Sequence, residues 1–155
     1  MNVVTRASVP KDAKAMSSIL AEILCLWKSD RPSDPGHVLA HYINNPDRVA
    51  CTVAVGDSGK ILGFQSLKRA LAGNQYGVTP GWGIIGSYVR GSAAGKGVGH
   101  LLFRASHDAA RQAGLPAIDA TIGAENKSGL TYYDAIGFYT YLTPPGRIRK
   151  RYDLV

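Results

Sequence analysis

The strongest constraint on this chain is a glycine-dense stretch between two different hydrophobic patterns. Trp82 to Val89 is rich in aromatic and β-branched residues, as a strand is, and from Val98 apolar residues recur at helical spacing. Between them lies Gly91-Ser92-Ala93-Ala94-Gly95-Lys96-Gly97-Val98-Gly99. A strand, a bare loop and a helix bring unpaired backbone N–H groups and the positive helix end to one point, where a pyrophosphate can dock without side-chain obstruction. Lys96 adds a point charge. The alternative is a plain strand-to-helix connection in which glycine serves only for turning.

Two other glycine readings fail on spacing. Gly81-Trp82-Gly83-Ile84-Ile85-Gly86 fits G-x-G-x-x-G, but it runs straight into strand-like Ser87-Tyr88-Val89, whereas a dinucleotide fingerprint opens a helix. Counted from Gly91, only three residues precede Gly95-Lys96 where a Walker A loop needs four, and Gly97 stands where Ser or Thr would hold magnesium.

The remaining elements follow from local signals. Val3 and Val4 open a strand, and Ser8-Val9-Pro10-Lys11-Asp12 starts a helix with a capping hydroxyl. Its apolar stripe is Ala15, Met16, Ile19, Leu20, Ile23, Leu24 and Trp27, ended by Pro32 and Pro35-Gly36. A short helix is expected over 38–43, then a hairpin of strands 49–55 and 61–67 around Asp57-Ser58-Gly59. The helix after the glycine loop presents Val98, Leu101, Leu102, Ala105, Ala109 and Ala113, and stops at Gly114 and Pro116. A strand over 117–122, a helix over 127–136 and strands near 138–142 and 148–154 complete the chain. This order predicts an α/β fold, a mixed sheet covered by helices, in one domain over residues 1–155.

Composition narrows the function. No stretch approaches the roughly 20 apolar residues of a membrane span, and no basic, then apolar leader opens the chain, so a cytoplasmic protein is expected. Cys25 and Cys51 sit in apolar patterns and read as core residues. His37 and His41 share a helix face but lack the Glu of a zinc protease helix and a third ligand, so no metal is expected. Lys and Arg number 18 against 11 Asp and Glu, which favours an anionic partner. The densest basic run, Arg147-Ile148-Arg149-Lys150-Arg151, alternates like a half-exposed strand with a solvated face and lacks the interleaved aromatics that stack bases.

Two motifs carry a family resemblance. Ala94-Gly95-Lys96-Gly97-Val98-Gly99 is similar to the pyrophosphate loop Arg/Gln-x-x-Gly-x-Gly/Ala of the GNAT superfamily of acyl-CoA-dependent N-acetyltransferases, matching both glycines and departing at Ala94, where the basic or amide side chain is missing. The segment from Asn126 through Tyr132 and Tyr133 to Gly137-Phe138 resembles the family's second signature. The resemblance implies a twisted, mostly antiparallel sheet flanked by about four helices, with acetyl-CoA as co-substrate and no metal. It implies that main-chain groups of Tyr88 and Val89 meet the thioester and pantetheine, that residues 94–99 cradle the pyrophosphate, and that Asn126 bonds the pantetheine arm while also suiting a helix N-cap. Tyr133 matches the tyrosine placed near the cofactor sulfur, where a phenol can protonate the departing thiolate; Tyr132, facing elsewhere, reads as packing or substrate lining.

The family's frequent Glu on the strand before the loop is missing from 82–89, which leaves the base to a water chain or another segment, with Glu22 and Glu125 as candidates. His100 and His107 read as surface residues, His100 within approach of a phosphate. The expected activity is acetyl transfer to a primary amine by direct attack. With few acids to hold a polycation, the expected acceptor is a small molecule with a negative or neutral group, such as an amino acid. A protein or peptide amine, a non-catalytic acyl-CoA sensor and a nucleic-acid-binding module are the alternatives, and a homodimer is left open.

Overall fold

The computed structural model describes residues 2–155. In chain order it contains β1 (Val4–Ala7), α1 (Ala13–Leu26) after a 3₁₀ turn, α2 (Pro35–Val38) continued by a π-helical turn over Leu39–Ile43, β2 (Arg48–Val55) and β3 (Ile61–Arg69). There follow β4 (Gly83–Val89), α3 (Val98–Gln112), β5 (Ala117–Gly123), α4 (Lys127–Ala135), β6 (Tyr139–Leu142) and β7 (Arg147–Asp153). The seven strands form one sheet in the order β1-β2-β3-β4-β5-β7-β6. Every neighbouring pair is antiparallel except β4 and β5.

The two faces of the sheet carry separate cores. Met16, Ile19, Leu20 and Leu24 of α1, with Val38, Tyr42 and Ile43, pack on Val53, Phe64 and Tyr88. On the other face Phe103 and Ala110 of α3 and Tyr133 of α4 pack with Leu67, Ile85, Ile118 and Phe138. Alternation along β3 and β4 thus divides the molecule into an α1–α2 side and an α3–α4 side.

Several local expectations are corrected. The Asp12 carboxylate accepts from the Val9 N–H at 2.9 Å at the start of the 3₁₀ turn that leads into α1, and pairs with Arg6, while among the described residues the buried Ser8 hydroxyl has no partner. Pro35 begins α2 instead of ending a segment, with Asp34 accepting from the His37 N–H at 3.0 Å. Cys25 is exposed, on the outer side of α1; Cys51 is buried, as expected. The buried face of α3 is Val98, Leu102, Phe103, Ser106 and Ala110, so the helix is turned from the stripe its alanines suggest. His107 is half-buried, edge-on to Phe103 and Tyr152.

The basic run in β7 is only partly solvated: Arg147 is exposed, whereas the other cations are bonded to carboxylates. Arg149 bonds Asp119 at 3.1 Å, Lys150 bonds Asp134 at 2.7 Å, Arg151 bonds Asp153 at 2.7 Å, and both Arg149 and Lys150 are buried. Charges neutralised within the sheet are not available to phosphates. Among the described residues, no helix is long and apolar enough to cross a membrane.

Candidate active site

The single parallel pair creates an opening in the sheet. β4 and β5 are in register only at Gly83 with Ile118 and Ile84 with Asp119. Beyond that point β4 stays on β3 as far as Val89 opposite Gly63, whereas β5 follows β7 to Gly123 opposite Arg147. From Ile85 onward one side of β4 therefore has no strand neighbour. Hydrogen bonding alternates along an antiparallel pair. Arg90 donates to the Leu62 carbonyl at 2.8 Å, so the main chain of Tyr88 is turned to Phe64, and those of Ser87 and Val89 face the opening. This corrects one expectation: Val89 and Ser87, not Tyr88, present main-chain groups here, and Tyr88 contributes its side chain on the α1–α2 side.

At the end of β4 the chain enters the glycine loop. Gly95 and Gly97 have φ of +74° and +79°, a left-handed backbone that side chains with a Cβ rarely adopt. A Cβ at either position would meet nothing within 4 Å, so the inside of the loop is bare. Gly97 begins α3 without a side-chain cap, and the first helical bond, from Leu101 to the Gly97 carbonyl, is 3.2 Å long. The N–H groups of Val98, Gly99 and His100 are thus left free by the helix. Val98 sends its side chain into the core, while Ala94, Lys96 and His100 are exposed. This cradle fits a pyrophosphate: free donors, a helix dipole of fifteen residues and no obstructing side chain.

Gly99 has a different reason to be glycine. A Cβ there would lie 2.6 Å from the Tyr132 ring, whose hydroxyl donates to the Gly99 carbonyl at 2.7 Å. Tyr132 therefore locks α4 to the start of α3 and belongs to the site instead of facing away from it.

From that carbonyl a polar chain runs through the α3–α4 side. The carbonyl only accepts, so Tyr132 donates to it and its oxygen accepts from Gln65 Nε2 at 2.9 Å. Gln65 Oε1 accepts from Ser106 at 2.6 Å, which fixes the amide orientation. The second Nε2 proton goes to Ser87 Oγ at 2.8 Å, and Ser87 Oγ lies 2.8 Å from Tyr133 Oη. Burial pushes the Tyr133 hydroxyl far above the usual phenol range, with the Ser87 hydrogen bond pulling the other way. Burial likewise pushes Tyr132 up to about 12 against the bonds from Gln65 and Ser87. Both phenols are held neutral and able to donate.

Asn126 caps α4, its Oδ1 accepting from the Gly129 N–H at 3.1 Å and from the Ser128 hydroxyl at 3.2 Å. The capping role uses only the oxygen. Of the two candidate bases, Glu125 is exposed at the end of β5, whereas Glu22 reaches across from α1 to accept from the Gly91 N–H at 3.3 Å.

The structure brings Tyr133 together with Gln65, Ser87 and Ser106, which sequence reasoning did not single out. Their signal was a polar residue at a position that periodicity reserves for the core; Gln65 and Ser106 are both fully buried.

The chain belongs to the acetyltransferase (GNAT) family, whose model matches residues 16–138. No curated protein sequence matches it. Among solved structures, a GCN5-related N-acetyltransferase from Kribbella flavida is similar at a TM-score of 0.83, with 19% identity over 98% of both chains. An N-acetyltransferase from Staphylococcus aureus Mu50 superposes at 0.82, with 19% identity over 100% of both chains. The protein yncA from Salmonella typhimurium, solved with its cofactor acetyl-CoA, superposes at 0.80, with 21% identity over 99% of this chain and 94% of that one. At these identities the likeness is one of fold.

Proposed function

We propose that this acetyltransferase moves an acetyl group from acetyl-CoA to the primary amine of a small molecule, an amino acid or a related compound, by direct attack. The observation that carries this reading is the Ser87–Tyr133 contact of 2.8 Å at the one place where β4 offers an open edge. When bound, acetyl-CoA supplies the acyl thioester and a thiol as leaving group.

The chain supplies the rest. The free N–H groups of Val98, Gly99 and His100, with Lys96, hold the pyrophosphate. Val89 and Ser87 pair their main chains with the amides of the pantetheine arm as a strand would, and Asn126 Nδ2 adds a donor. Ser87 Oγ accepts from Gln65 and lies within hydrogen-bond distance of Tyr133 Oη, so Ser87 can give its own proton to the phenol oxygen and leave the phenol proton for the opening. Tyr133 then donates to the sulfur as negative charge develops on it, which is general-acid assistance. Glu22, whose carboxylate already touches the Gly91 N–H just beyond β4, receives the amine proton through water.

The test is a panel of amines incubated with acetyl-CoA while free CoA is followed. CoA release that depends on a small amine, with the acetylated amine found by mass spectrometry, supports the reading. Binding of acetyl-CoA with no release for any amine or peptide would make the chain a sensor and overturn it.

A further inference from the structure

On the α1–α2 side of the opening, cations converge without counter-ions. Arg31, in the segment between α1 and α2, is an exposed residue that turns its guanidinium onto a buried phenol, donating from Nη2 to Tyr88 Oη at 3.4 Å. Tyr42 Oη lies 3.5 Å from the same Tyr88 oxygen, and Trp27 packs 6.3 Å from the Tyr88 ring. Lys68 of β3 stands 5.1 Å over the ring of Tyr76, and His37 and His41 stack 4.8 Å apart against Tyr42. Among the described residues neither Arg31 nor Lys68 has a carboxylate within 4 Å. The two acids of the same segment are exposed, and Asp34 is committed to the cap of α2.

This arrangement leaves two cations open to an anionic ligand. The Arg31 guanidinium is bonded to a phenol where a carboxylate would be the stronger partner, and the hydroxyls of Tyr42 and Tyr88 lie together beside it. The local field is positive: burial, then the charges of Lys68, His37 and Arg31, depress His41 to about 4. A polyamine acceptor would be repelled.

We infer that Arg31 and Lys68, framed by Tyr42, Tyr76 and Tyr88, form a recognition site for a carboxylate or similar oxyanion of the acceptor. The inference rests on the transferase reading and narrows its substrate class. Tyr88 ties the two regions together, because its hydroxyl touches Arg31 while the main chains on either side of it face the opening. An acceptor anchored by its oxyanion at Arg31 extends its amine along the Tyr88 side chain toward the end of β4. The Tyr76 and Trp27 rings cover its hydrocarbon portion.

The test has a binding arm and a turnover arm. Without acetyl-CoA, glutarate and inorganic phosphate serve as amine-free probes, titrated by calorimetry into the wild-type protein and into Arg31→Met and Lys68→Met. Each substitution is expected to weaken probe binding roughly 10- to 100-fold, the span of a hydrogen bond to a charged group, with Arg31→Lys recovering part of the loss. Acetyl-CoA affinity should be unchanged in all three, which reports that they fold. With acetyl-CoA, an amino acid should be preferred to its carboxamide through KM, and Arg31→Met should erase that preference with little change in kcat. Probe binding without acetylation of any amine leaves the oxyanion site standing and removes the transferase reading. Equal turnover of carboxylate and carboxamide, unaltered by Arg31→Met, keeps the transferase and overturns the site.

Discussion

At the scale of single residues, the proposed chemistry rests on the Tyr133 proton, which burial keeps in place. Tyr133→Phe retains the ring between Tyr132 and Phe138 and removes only the hydroxyl. kcat is expected to fall by about 10²- to 10⁴-fold while acetyl-CoA affinity survives. Ser87→Ala should lower kcat less and add little on top of Tyr133→Phe, because both act on the same proton; a double-mutant cycle of kcat checks this. His41 has a separate effect on stability. Its imidazole is depressed to about 4 in the folded chain against 6.5 when free, so below pH 6.5 the unfolded chain takes up a proton that the folded one refuses. Stability should therefore fall from pH 6.5 down to about 4, and the Tm of His41→Gln should be flatter across that window. Tyr133 was singled out by one motif, the segment from Asn126 to Phe138. Gln65 gave only the weak signal of a polar residue in a core strand, and its partners Ser106 and Tyr132 arrive from distant parts of the chain.

At the scale of elements, the glycine loop and α3 act together. Gly97→Val puts a β-branched residue at φ +79°, where the backbone is strained, and fills the bare cradle. Acetyl-CoA binding should weaken at least about tenfold, more than a lost hydrogen bond to a charged group at its lower limit. Gly114→Val is the control: it has φ +71° at the far end of the same helix, so it shares the strain without the cradle, and calorimetry should find its affinity normal. Loop, strand and helix positions were readable because glycine, proline and periodicity mark them locally. The rotation of α3 was not, since its alanines at 105, 109 and 113 are apolar on a half-buried flank, while Ser106 is buried by its bond to Gln65. The basic strand misled for the converse reason: charge runs look solvated until their partners on β5, α4 and the strand itself are known.

At the scale of the whole molecule, the order of elements was enough to expect a mixed sheet between helices, and the pairing that matters most was beyond reach. Sequence shows that β4 and β5 exist, but their separation after two residue pairs depends on β7 holding β5 along its full length. A ligand that spans this split stabilises the fold by mass action. At a hundred times its Kd, acetyl-CoA should add about 2.7 kcal/mol, roughly 5 to 10 °C in Tm for a domain of this size. Hydrogen exchange should slow at Ser87 and Val89, whose main chains face the split, and leave Tyr88 as it was.

The same split has a consequence for colliding copies of the chain. An unpaired strand edge usually invites another chain to add to it, and proteins blunt such edges at the rim of a sheet. Here the unsatisfied edge of β4 lies in the interior of the sheet, between β3 and β5, in a wedge closed at the Gly83–Ile118 end. A neighbouring molecule's strand, carrying its own side chains and sheet, cannot enter a wedge that a single slender, amide-bearing arm can. The protein keeps an open strand edge without the association hazard that such an edge brings at a surface.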